Sequence, residues 1–204
     1  MKTSFRKIEE KDDLALIATG IYNTDNKFFN TLFKDKKTSI KVLYQLITSK
    51  YHNPYHKDFI TIVYDENIGE IAGFMISYMG RQIDLNSVLL AYEAIPQVNL
   101  SSIILDNIMS FIFSSKIIKS EYYLGNLFVF QKYRNKGYGS KLVEKSKQKA
   151  RVNNARNILL DVDYTDRKLL KFYQKRGFKK FRSNYHKLMG LTFGTVGLKC
   201  ELRE

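Results

Sequence analysis

The sequence predicts a single α/β domain, and three observations lead to that prediction. Its 204 residues are enough to bury one core, and 44% of them are hydrophobic, an ordinary share for a globular protein. Segments with strand-like alternation and segments with helical spacing take turns along the chain, which is the order of an α/β fold. With two prolines and no internal repeat, the chain offers no linker, so we expect residues 1–204 to form one domain.

The N-terminal part predicts a strand followed by helices. The segment SFRKIEE alternates apolar and polar side chains, as a half-buried strand does. Helices are expected from Asp12 to Tyr22 and from Thr38 to Lys50. The second helix has apolar residues at helical spacing, namely Ile40, Leu43, Tyr44 and Ile47. The polar segment HNPYHKD then interrupts the regular structure.

The middle of the chain predicts a hairpin and then a helical insertion. Two β-rich runs in DFITIVYDENIGEIAGFMISYMG flank a polar turn that contains Asn67 and Gly69. Residues 81–121 are mostly helical by pattern and separate the third strand from the fourth. Within them, an apolar helix from Leu100 to Phe113 must pack on the sheet or on a second subunit, so we keep a homodimer among the expected assemblies.

The most hydrophobic stretch, LSSIILDNIMSFIFSSKII, is expected to pack inside the protein rather than to span a membrane. It contains Asp106, Asn107 and Lys116, and a charge near the bilayer centre costs about 2.5–3.5 kcal/mol. The N-terminal segment MKTSFRKIEEKDD lacks the apolar core of a signal peptide. The single cysteine, Cys200, excludes an intramolecular disulfide and suits a reducing compartment. We therefore expect a cytoplasmic protein without a membrane partner.

The second half predicts a strand–helix–strand–helix–strand unit. YYLGNLFVF and ARNILLDVD are predicted to be strands, and residues 138–152 between them a helix. A further helix from Asp166 to Arg176 is ended by Gly177, which adopts the left-handed conformation of a helix cap at low cost. GFKKFRSNYHKL and GTVGLKCEL are expected to be the last two strands.

Positive charge is concentrated in one part of the chain. The net charge is +14, and residues 131–182 contain seventeen lysines and arginines against four acidic residues. A field of one sign suits a polyanionic ligand, either a nucleic acid or a phosphorylated cofactor. A lysine-rich solvated surface explains the same composition. Charge alone leaves these interpretations open.

The segment RNKGYG, residues 134–139, lies between a predicted strand and a predicted helix. Unpaired amides and the positive end of the helix dipole make such a position an anion site. Glycine removes the Cβ from the path of a phosphate, and Asn135 tolerates left-handed backbone angles. The segment matches neither a Walker loop nor a dinucleotide fingerprint, because Leu142 stands where a third glycine is needed. A tight connection without a ligand is the alternative.

The histidines do not predict a metal site. His52 and His56 are four residues apart, but Pro54 between them disrupts a helical face, and no further ligand is expected near them. With three histidines and one cysteine in the whole chain, zinc binding is not expected.

Two segments together resemble the GNAT N-acetyltransferase superfamily. NLFVFQKYRNKGYGSKLV is similar to its acetyl-CoA signature, a hydrophobic strand followed by a Pro-x-Tyr-Arg step and Arg-x-x-Gly-x-Gly. Further on, ILLDVDYTDRKLLKFYQKRGFKKF is similar to its second hallmark, a strand ending in acidic or polar residues, a helix with a tyrosine and then Gly-Phe. The resemblance covers residues 58–182 and, more loosely, the N-terminal helices. It departs from the family at Gln131, Asn135 and Asp166, where proline, glycine and asparagine are common.

The resemblance implies a mixed, partly parallel central sheet flanked by helices, with the helical insertion between the third and fourth strands. It also implies that acetyl-CoA is the cosubstrate and that no metal takes part. The strand Leu124–Phe130 would carry a bulge and splay from the next strand, so that the pantetheine arm bonds to its main chain, while the following turn binds the pyrophosphate. The cofactor-binding residues would then be Phe128, Val129, Phe130, Arg134, Asn135, Lys136, Gly137, Tyr138, Gly139, Ser140 and Asp166.

The resemblance further implies the chemistry, which is attack of an amine on a thioester with departure of a thiolate. Tyr173 matches the family position of the acid that protonates the thiolate, and a tyrosine pKa near 10 keeps it protonated at neutral pH. The alternative is that Tyr173 is a core aromatic residue next to Phe172. A base is also needed, because an alkyl amine with a pKa of about 10.4 is protonated at pH 7. Glu93 and Asp163 are candidates that no spacing distinguishes.

The leading functional hypothesis is an acetyl-CoA-dependent N-acetyltransferase that acts on a primary amine, either a small molecule or a protein N-terminus or lysine. The acceptor is expected near residues 22–36 and the insertion, and transfer of a longer acyl group would differ only in pocket volume. The alternative is a basic nucleic-acid-binding module on the same fold, in which aromatic residues among the lysines of KFYQKRGFKKFRSNYHK stack on bases. Cations that converge on Gly137 would favour the cofactor, and cations spread around a surface would favour the alternative.

Overall fold

The computed structural model describes residues 2–9, 11–98, 117–188 and 191–202, which form one mixed sheet flanked by helices. The strands are β1 Thr3–Lys7, β2 Ile60–Asp65, β3 Glu70–Met79, β4 Tyr122–Val129, β5 Asn157–Asp163, β6 Lys179–Leu188 and β7 Leu191–Glu201. They lie side by side in the order β1-β2-β3-β4-β5-β7-β6. Every neighbouring pair is antiparallel except β4 and β5, which are parallel. The predicted fold class, with its partly parallel sheet, is therefore confirmed.

The helices of the described residues are α1 Leu14–Tyr22, α2 Asn26–Phe33, α3 Lys36–Ile47, α4 Leu85–Glu93, α5 Tyr138–Val152 and α6 Arg167–Gln174. The sequence analysis did not predict α2, a helix of eight residues that is stabilised mainly by burying Phe29, Leu32 and Phe33. In the insertion, α4 is helical as expected, whereas the predicted helix from Leu100 to Phe113 lies outside the described residues. No helix in the described part of the chain has the length and hydrophobicity that a membrane span needs.

Most of these helices are preceded by an aspartate whose side chain accepts a hydrogen bond from an amide of the first turn. The caps are Asp13, Asp25, Asp35, Asp84 and Asp166. Such a cap satisfies an amide that no carbonyl of the helix can reach. The exception is α5, which is preceded by Gly137 and has no side-chain cap.

Alternation along the strands divides the core into two layers, one on each face of the sheet. Ile62 and Phe74 belong to the layer of α1, α2 and α3. The residues that follow them, Val63 and Met75, belong to the layer of α5 and α6. This is the two-residue period of a strand that is buried on both faces. A site at the centre of the sheet is therefore bordered by both helical layers.

Gly20 allows α1 to lie close to the sheet. A Cβ atom at this position would lie 2.5 Å from Cε1 of Phe74 and 3.1 Å from Cδ1 of Phe128. The close approach determines where α1 ends, and with it the position of the loop that contains Thr24 and Asp25.

We expect Gly20→Val to lower the free energy of unfolding by about 1–3 kcal/mol, because the added side chain overpacks the contact between α1 and the sheet. Urea denaturation followed by circular dichroism measures this loss. The control is Ala15→Val on the exposed side of the same helix, which should cost less than about 1 kcal/mol. Equal losses for the two variants would contradict the assigned role of Gly20.

Candidate active site

The two central strands β4 and β5 pair over only part of their length. In the described residues, their parallel register comprises Tyr122 with Ile158 and Tyr123 with Leu159. Beyond these pairs, β5 continues along β7 and β4 continues along β3. The strands diverge and leave between them an opening that we call the β4–β5 gap.

A β-bulge bends β4 at the start of this gap. Asn126 lies opposite Ile76 of β3. The next residue of β3 lies opposite Leu124, so Gly125 is left without a partner in the register. An extra residue on one strand bends that strand and increases its twist. The bulge and the splay that the resemblance implies for this strand are thus present in the structure.

The main chain at the end of β4 is only partly available to a ligand. The amide of Phe130 donates to the carbonyl of Ala72 at 3.0 Å, and its carbonyl accepts from an amide of the following turn at 2.8 Å. By the alternation of an antiparallel strand, the main-chain groups of Phe128 also face β3. Val129 faces the other way, and its carbonyl accepts from Nε of Arg134 at 3.1 Å. Of the three strand residues predicted to bind the cofactor, Val129 is the one whose main chain borders the gap.

The turn RNKGYG leads from β4 into α5 and leaves the first amides of the helix open. Asn135 and Gly137 have φ angles of 60° and 84°, as left-handed turn residues do. No side chain caps α5, and its first turn contains no acidic residue. The amides of residues 138–140 have no helical carbonyl to bond. Together with the positive end of the helix dipole, they form a site for an anion.

Three cations lie around this turn. Arg134 and Lys136 are exposed parts of the turn itself. Arg176 comes from the end of α6, and its guanidinium donates to Oγ of Ser140 and, at 2.6 Å, to the carbonyl of Phe172. The guanidinium also lies 3.6 Å from the centre of the Phe172 ring, within cation–π range. Arg176 was not predicted as a site residue. The feature of the sequence that indicates its contact is its spacing of four residues from Phe172.

Other cations of the basic segment are engaged elsewhere. Lys132 forms an ion pair with Glu70, and Lys147 forms one with Glu144. Nζ of Lys149 donates to Oγ1 of a β2 threonine at 2.8 Å, and burial lowers the pKa of this lysine to about 8. Three of the seventeen cations in residues 131–182 therefore contact groups away from the RNKGYG turn. Arg134 and Lys136 belong to the turn, and Arg176 contacts Ser140 in the first turn of α5.

Three of the predicted cofactor-binding residues have structural contacts of their own. Tyr138 is buried, and its hydroxyl donates to Asp65, whose pKa this hydrogen bond lowers. Gly139 lets α5 approach α6, because a Cβ atom there would lie 3.3 Å from Cζ of Phe172. Oδ1 of Asp166 accepts from an amide in the first turn of α6 at 2.8 Å. A ligand can therefore bind the main-chain amides of Tyr138 and Gly139, whereas the Asp166 carboxylate is engaged in a helix cap.

Tyr173 lies on the buried face of α6. Its ring packs edge-on against Phe172 and Phe178, with centroid distances of 5.1 and 5.6 Å. The residue is 5% exposed, and its hydroxyl has no hydrogen-bond partner among the described residues. Burial raises the pKa of this tyrosine, so the hydroxyl keeps its proton at neutral pH. Tyr173 is a core aromatic residue, and it is also a proton donor without a protein acceptor in the described chain.

Carboxylates lie on the face of the gap that is covered by α1–α3. Along β5, Leu160 and Val162 face the layer of α5 and α6. Alternation therefore turns Asp161 and Asp163 toward the other layer. Asp161 accepts from the hydroxyl of Tyr123 at 3.0 Å. Burial and the charge of Asp161 raise the pKa of Tyr123, so this hydroxyl stays protonated.

Asp25 adds a third carboxylate on this face. It caps α2 by accepting from the amide of Phe28 at 3.0 Å. Asp25 is exposed, and partial desolvation by the surrounding chain together with the nearby charge of Asp163 raises the pKa of its carboxylate. The preceding residue, Thr24, accepts with Oγ1 from the side-chain amide of Asn126 at 2.8 Å, which attaches the α1–α2 loop to the bulged strand. The sequence analysis missed Asp25 because it did not predict α2.

The two base candidates named from the sequence lie in different places. Asp163 ends β5 at the gap, where its Oδ1 accepts from the amide and the hydroxyl of Thr165 at 2.7 and 2.5 Å. Glu93 lies at the exposed C-terminal end of α4, and none of the described contacts connects it with the gap.

Comparisons with known proteins agree with this architecture. A model of the acetyltransferase (GNAT) family matches residues 20–178. The fold is similar to that of an acetyltransferase with 19% identity and a TM-score of 0.65, over 98% of this chain and 100% of that one. It is also similar to an N-acetyltransferase from Staphylococcus aureus Mu50, with 20% identity and a TM-score of 0.65 over 96% and 99% of the two chains.

A further similar structure is the NatC complex bound to Gag peptide and CoA, with 14% identity and a TM-score of 0.58 over 100% of both chains. A search of curated proteins found no significant match. At these identities the structural likeness supports the fold, and the family model extends across β4, the RNKGYG turn and α6.

Proposed function

This chain belongs to the GNAT acetyltransferase family, whose model matches residues 20–178, and we propose that it transfers an acetyl group from acetyl-CoA to a primary amine. The observation that most supports this is the β4–β5 gap, which leads to the uncapped, basic N-terminus of α5. A narrow opening between strands suits an extended arm, and open helix amides suit a diphosphate. The transfer is direct, with both substrates in the gap at the same time.

The turn before α5 supplies the donors that a diphosphate needs. The amides of residues 138–140 are oriented by the helix, and the left-handed angles at Asn135 and Gly137 set the path of the turn. Arg134, Lys136 and Arg176 neutralise the two negative charges. The main chain of Val129 is the hydrogen-bond partner for the pantetheine arm, because it borders the gap while the neighbouring groups bond to β3.

The chemistry is attack of a neutral amine on the thioester carbonyl carbon. Electrons of the carbonyl bond move to oxygen, the tetrahedral intermediate collapses, and the carbon–sulfur bond breaks. The departing thiolate then takes a proton from the hydroxyl of Tyr173, the positively charged nitrogen of the intermediate loses a proton to water, and the tyrosinate regains a proton from solvent. Burial raises the pKa of Tyr173, so its hydroxyl carries a proton when the thiolate forms. With Tyr173 as the acid and an aspartate as the base, the proposed reaction uses no metal ion.

Asp25 is the base that we propose for the incoming amine. A carboxylate whose pKa is raised by partial desolvation and by a neighbouring carboxylate binds a proton more readily than an isolated aspartate. Asp163 helps to raise that pKa and adds negative charge. The α1–α2 loop that carries Asp25 is attached to the bulge of β4 through Thr24 and Asn126, which holds the carboxylate at the edge of the gap.

The charge around the gap defines the class of acceptor. Asp25, Asp161 and Asp163 lie on the face that is covered by α1–α3, in a chain whose net charge is +14. A site of this sign attracts a cationic amine and repels an anionic one. We therefore propose an acceptor with positive charge beyond the reacting amine, either a small polyamine or a basic peptide segment.

Titration with acetyl-CoA, ATP, NAD and a short RNA at matched ionic strength tests the cosubstrate. A ligand at a hundred times its dissociation constant adds about 2.7 kcal/mol of stability, which a thermal shift detects. We expect acetyl-CoA to raise the melting temperature most. A shift with RNA and none with acetyl-CoA would overturn the proposed function in favour of nucleic-acid binding.

The substitution Ser140→Asp tests the anion site, with Ser140→Asn as the neutral control. A carboxylate in the first turn of α5 favours the helix dipole and pairs with Arg176, so the free protein should be no less stable than the wild type. The same charge repels a diphosphate, so the dissociation constant of acetyl-CoA should rise about tenfold or more. Calorimetry measures both variants. Equal affinities for acetyl-CoA would place the diphosphate elsewhere.

The substitution Tyr173→Phe should lower kcat by about 100-fold and leave the affinity for acetyl-CoA nearly unchanged, because it removes the proton donor and keeps the ring. Steady-state kinetics with a thiol reagent for released CoA provide the measurement. Tyr122→Phe is the matched control, since the Tyr122 hydroxyl is also buried but bonds to Ser77, at 2.8 Å. A wild-type value of kcat in Tyr173→Phe would show that this tyrosine is a core aromatic residue and not the proton donor.

The substitution Asp25→Asn should lower kcat/KM by about 100-fold at neutral pH. In the wild type, kcat/KM should increase with pH as the Asp25 carboxyl loses its proton, at a pKa above the ordinary value of about 3.9. The variant should not show this increase. Asparagine is as good a helix cap as aspartate, so stability should be kept. Asp35→Asn, which changes the cap of α3, is the control. Identical pH profiles for Asp25→Asn and the wild type would exclude Asp25 as the base.

A further inference from the structure

The segment between α3 and β2 brings together three side chains that can bind a metal ion. They are His52, His56 and Asp58, which we call the His–Asp cluster. The sequence analysis expected no further ligand near the two histidines. That expectation is wrong, because the chain turns at Asn53 and Pro54 and then returns, so that Asp58 contacts both imidazole rings.

The distances within the cluster fit a small divalent ion. Oδ2 of Asp58 lies 3.0 Å from Nε2 of His52 and 3.4 Å from Nδ1 of His56. All three ligand atoms lie within 4.8 Å of one another. Zinc bonds of 2.0–2.2 Å in tetrahedral geometry place neighbouring ligand atoms about 3.3–3.6 Å apart. An ion can therefore enter with small movements of the exposed side chains.

The hydrogen bonds of His56 determine which of its ring nitrogens carries the proton. Its Nε2 lies 3.0 Å from the carbonyl of Ser49, which can only accept, so Nε2 carries the proton. Its Nδ1 accepts a hydrogen bond from the amide of Asp58 at 3.2 Å and lies 3.4 Å from the Asp58 carboxylate, so Nδ1 is unprotonated, and an ion must displace this one hydrogen bond to reach its lone pair. A metal-binding histidine is usually oriented in this way, by donating its other ring N–H to a carbonyl or a carboxylate.

The segment is held firmly, and the cluster is open to solvent on one side. Asn53 is fully buried and donates from Nδ2 to the carbonyl of Leu46 at 2.9 Å. His56 is buried as well. The side chains of His52 and Asp58 are 51% and 49% exposed. A partly buried neutral imidazole beside two exposed ligands leaves a coordination position for water.

We propose that His52, His56 and Asp58 bind a divalent transition-metal ion of the Zn²⁺ class, with water completing its coordination. Two imidazole nitrogens favour zinc, copper or nickel over magnesium and calcium, which prefer oxygen ligands. The nearby cations Lys7 and Lys57 weaken purely electrostatic binding of a cation, so coordinate bonds to nitrogen decide the affinity. The bound ion would join the end of α3 to the start of β2.

Binding of Zn²⁺ to the full, untagged and chelator-treated chain tests this proposal. Competition with a chromophoric chelator gives the affinity, and the visible spectrum of Co²⁺ reports the ligand set. We expect one high-affinity site per chain. His52→Ala and Asp58→Asn should each weaken binding about tenfold or more, as loss of a ligand or of its support does. Both residues are half exposed, so circular dichroism should confirm that these variants fold.

Two controls separate this cluster from other ligands in the chain. His186→Ala removes the third histidine, and Cys200→Ser removes the single thiol. Both variants should bind Zn²⁺ as the wild type does. The proposal is overturned if the wild type binds no better than the double variant His52→Ala/Asp58→Asn, or if His186→Ala or Cys200→Ser abolishes the site. These measurements do not depend on acetyltransferase activity, so their failure leaves the proposed function untouched.

Discussion

The organisation of this protein depends on the early end of the pairing between its two central strands. After Tyr123 and Leu159, each strand follows its other neighbour, and the bulge at Gly125 turns β4 away from β5. Main-chain groups on the inner edges of β4 and β5 then lack strand partners, and a buried unpaired amide or carbonyl costs free energy. An extended ligand with amide groups would satisfy them as a strand does, so the irregularity in the sheet is also the basis of the binding that we propose.

The two faces of the gap differ in charge because of what each helical layer contributes. On one face, α5 begins without a carboxylate cap and is accompanied by Arg134, Lys136 and Arg176. On the other, β5 and the α1–α2 loop contribute aspartates, among them Asp25, whose carboxylate also caps α2. The other described helices have aspartate caps, and Gly137 takes the place of one where we propose that the diphosphate binds. Local capping and the proposed chemistry therefore follow from the same helix-end electrostatics.

The aromatic residues of the core connect the gap to the His–Asp cluster. Ring centroids follow one another from His52 to Phe59, Tyr78 and Tyr123, at 5.5, 5.3 and 5.7 Å. The Tyr123 hydroxyl then donates to Asp161 at the gap. Such packing fixes the start of β2 against the centre of the sheet and makes this side of the core stiff.

The sequence by itself determined the strands, the longer helices, the RNKGYG turn and the position of Tyr173, because periodicity, helix ends and glycine conformations are local properties. It did not reveal α2, since a helix of eight residues is stabilised mainly by tertiary packing. It also missed Asp25 and Arg176, which reach the candidate site from a loop and a helix end that are distant in sequence from the RNKGYG turn. Pairing with β3 decides which main-chain groups of β4 remain free to bind a ligand. That pairing, like the meeting of His52 with Asp58, depends on how distant segments pack, and no local pattern encodes it.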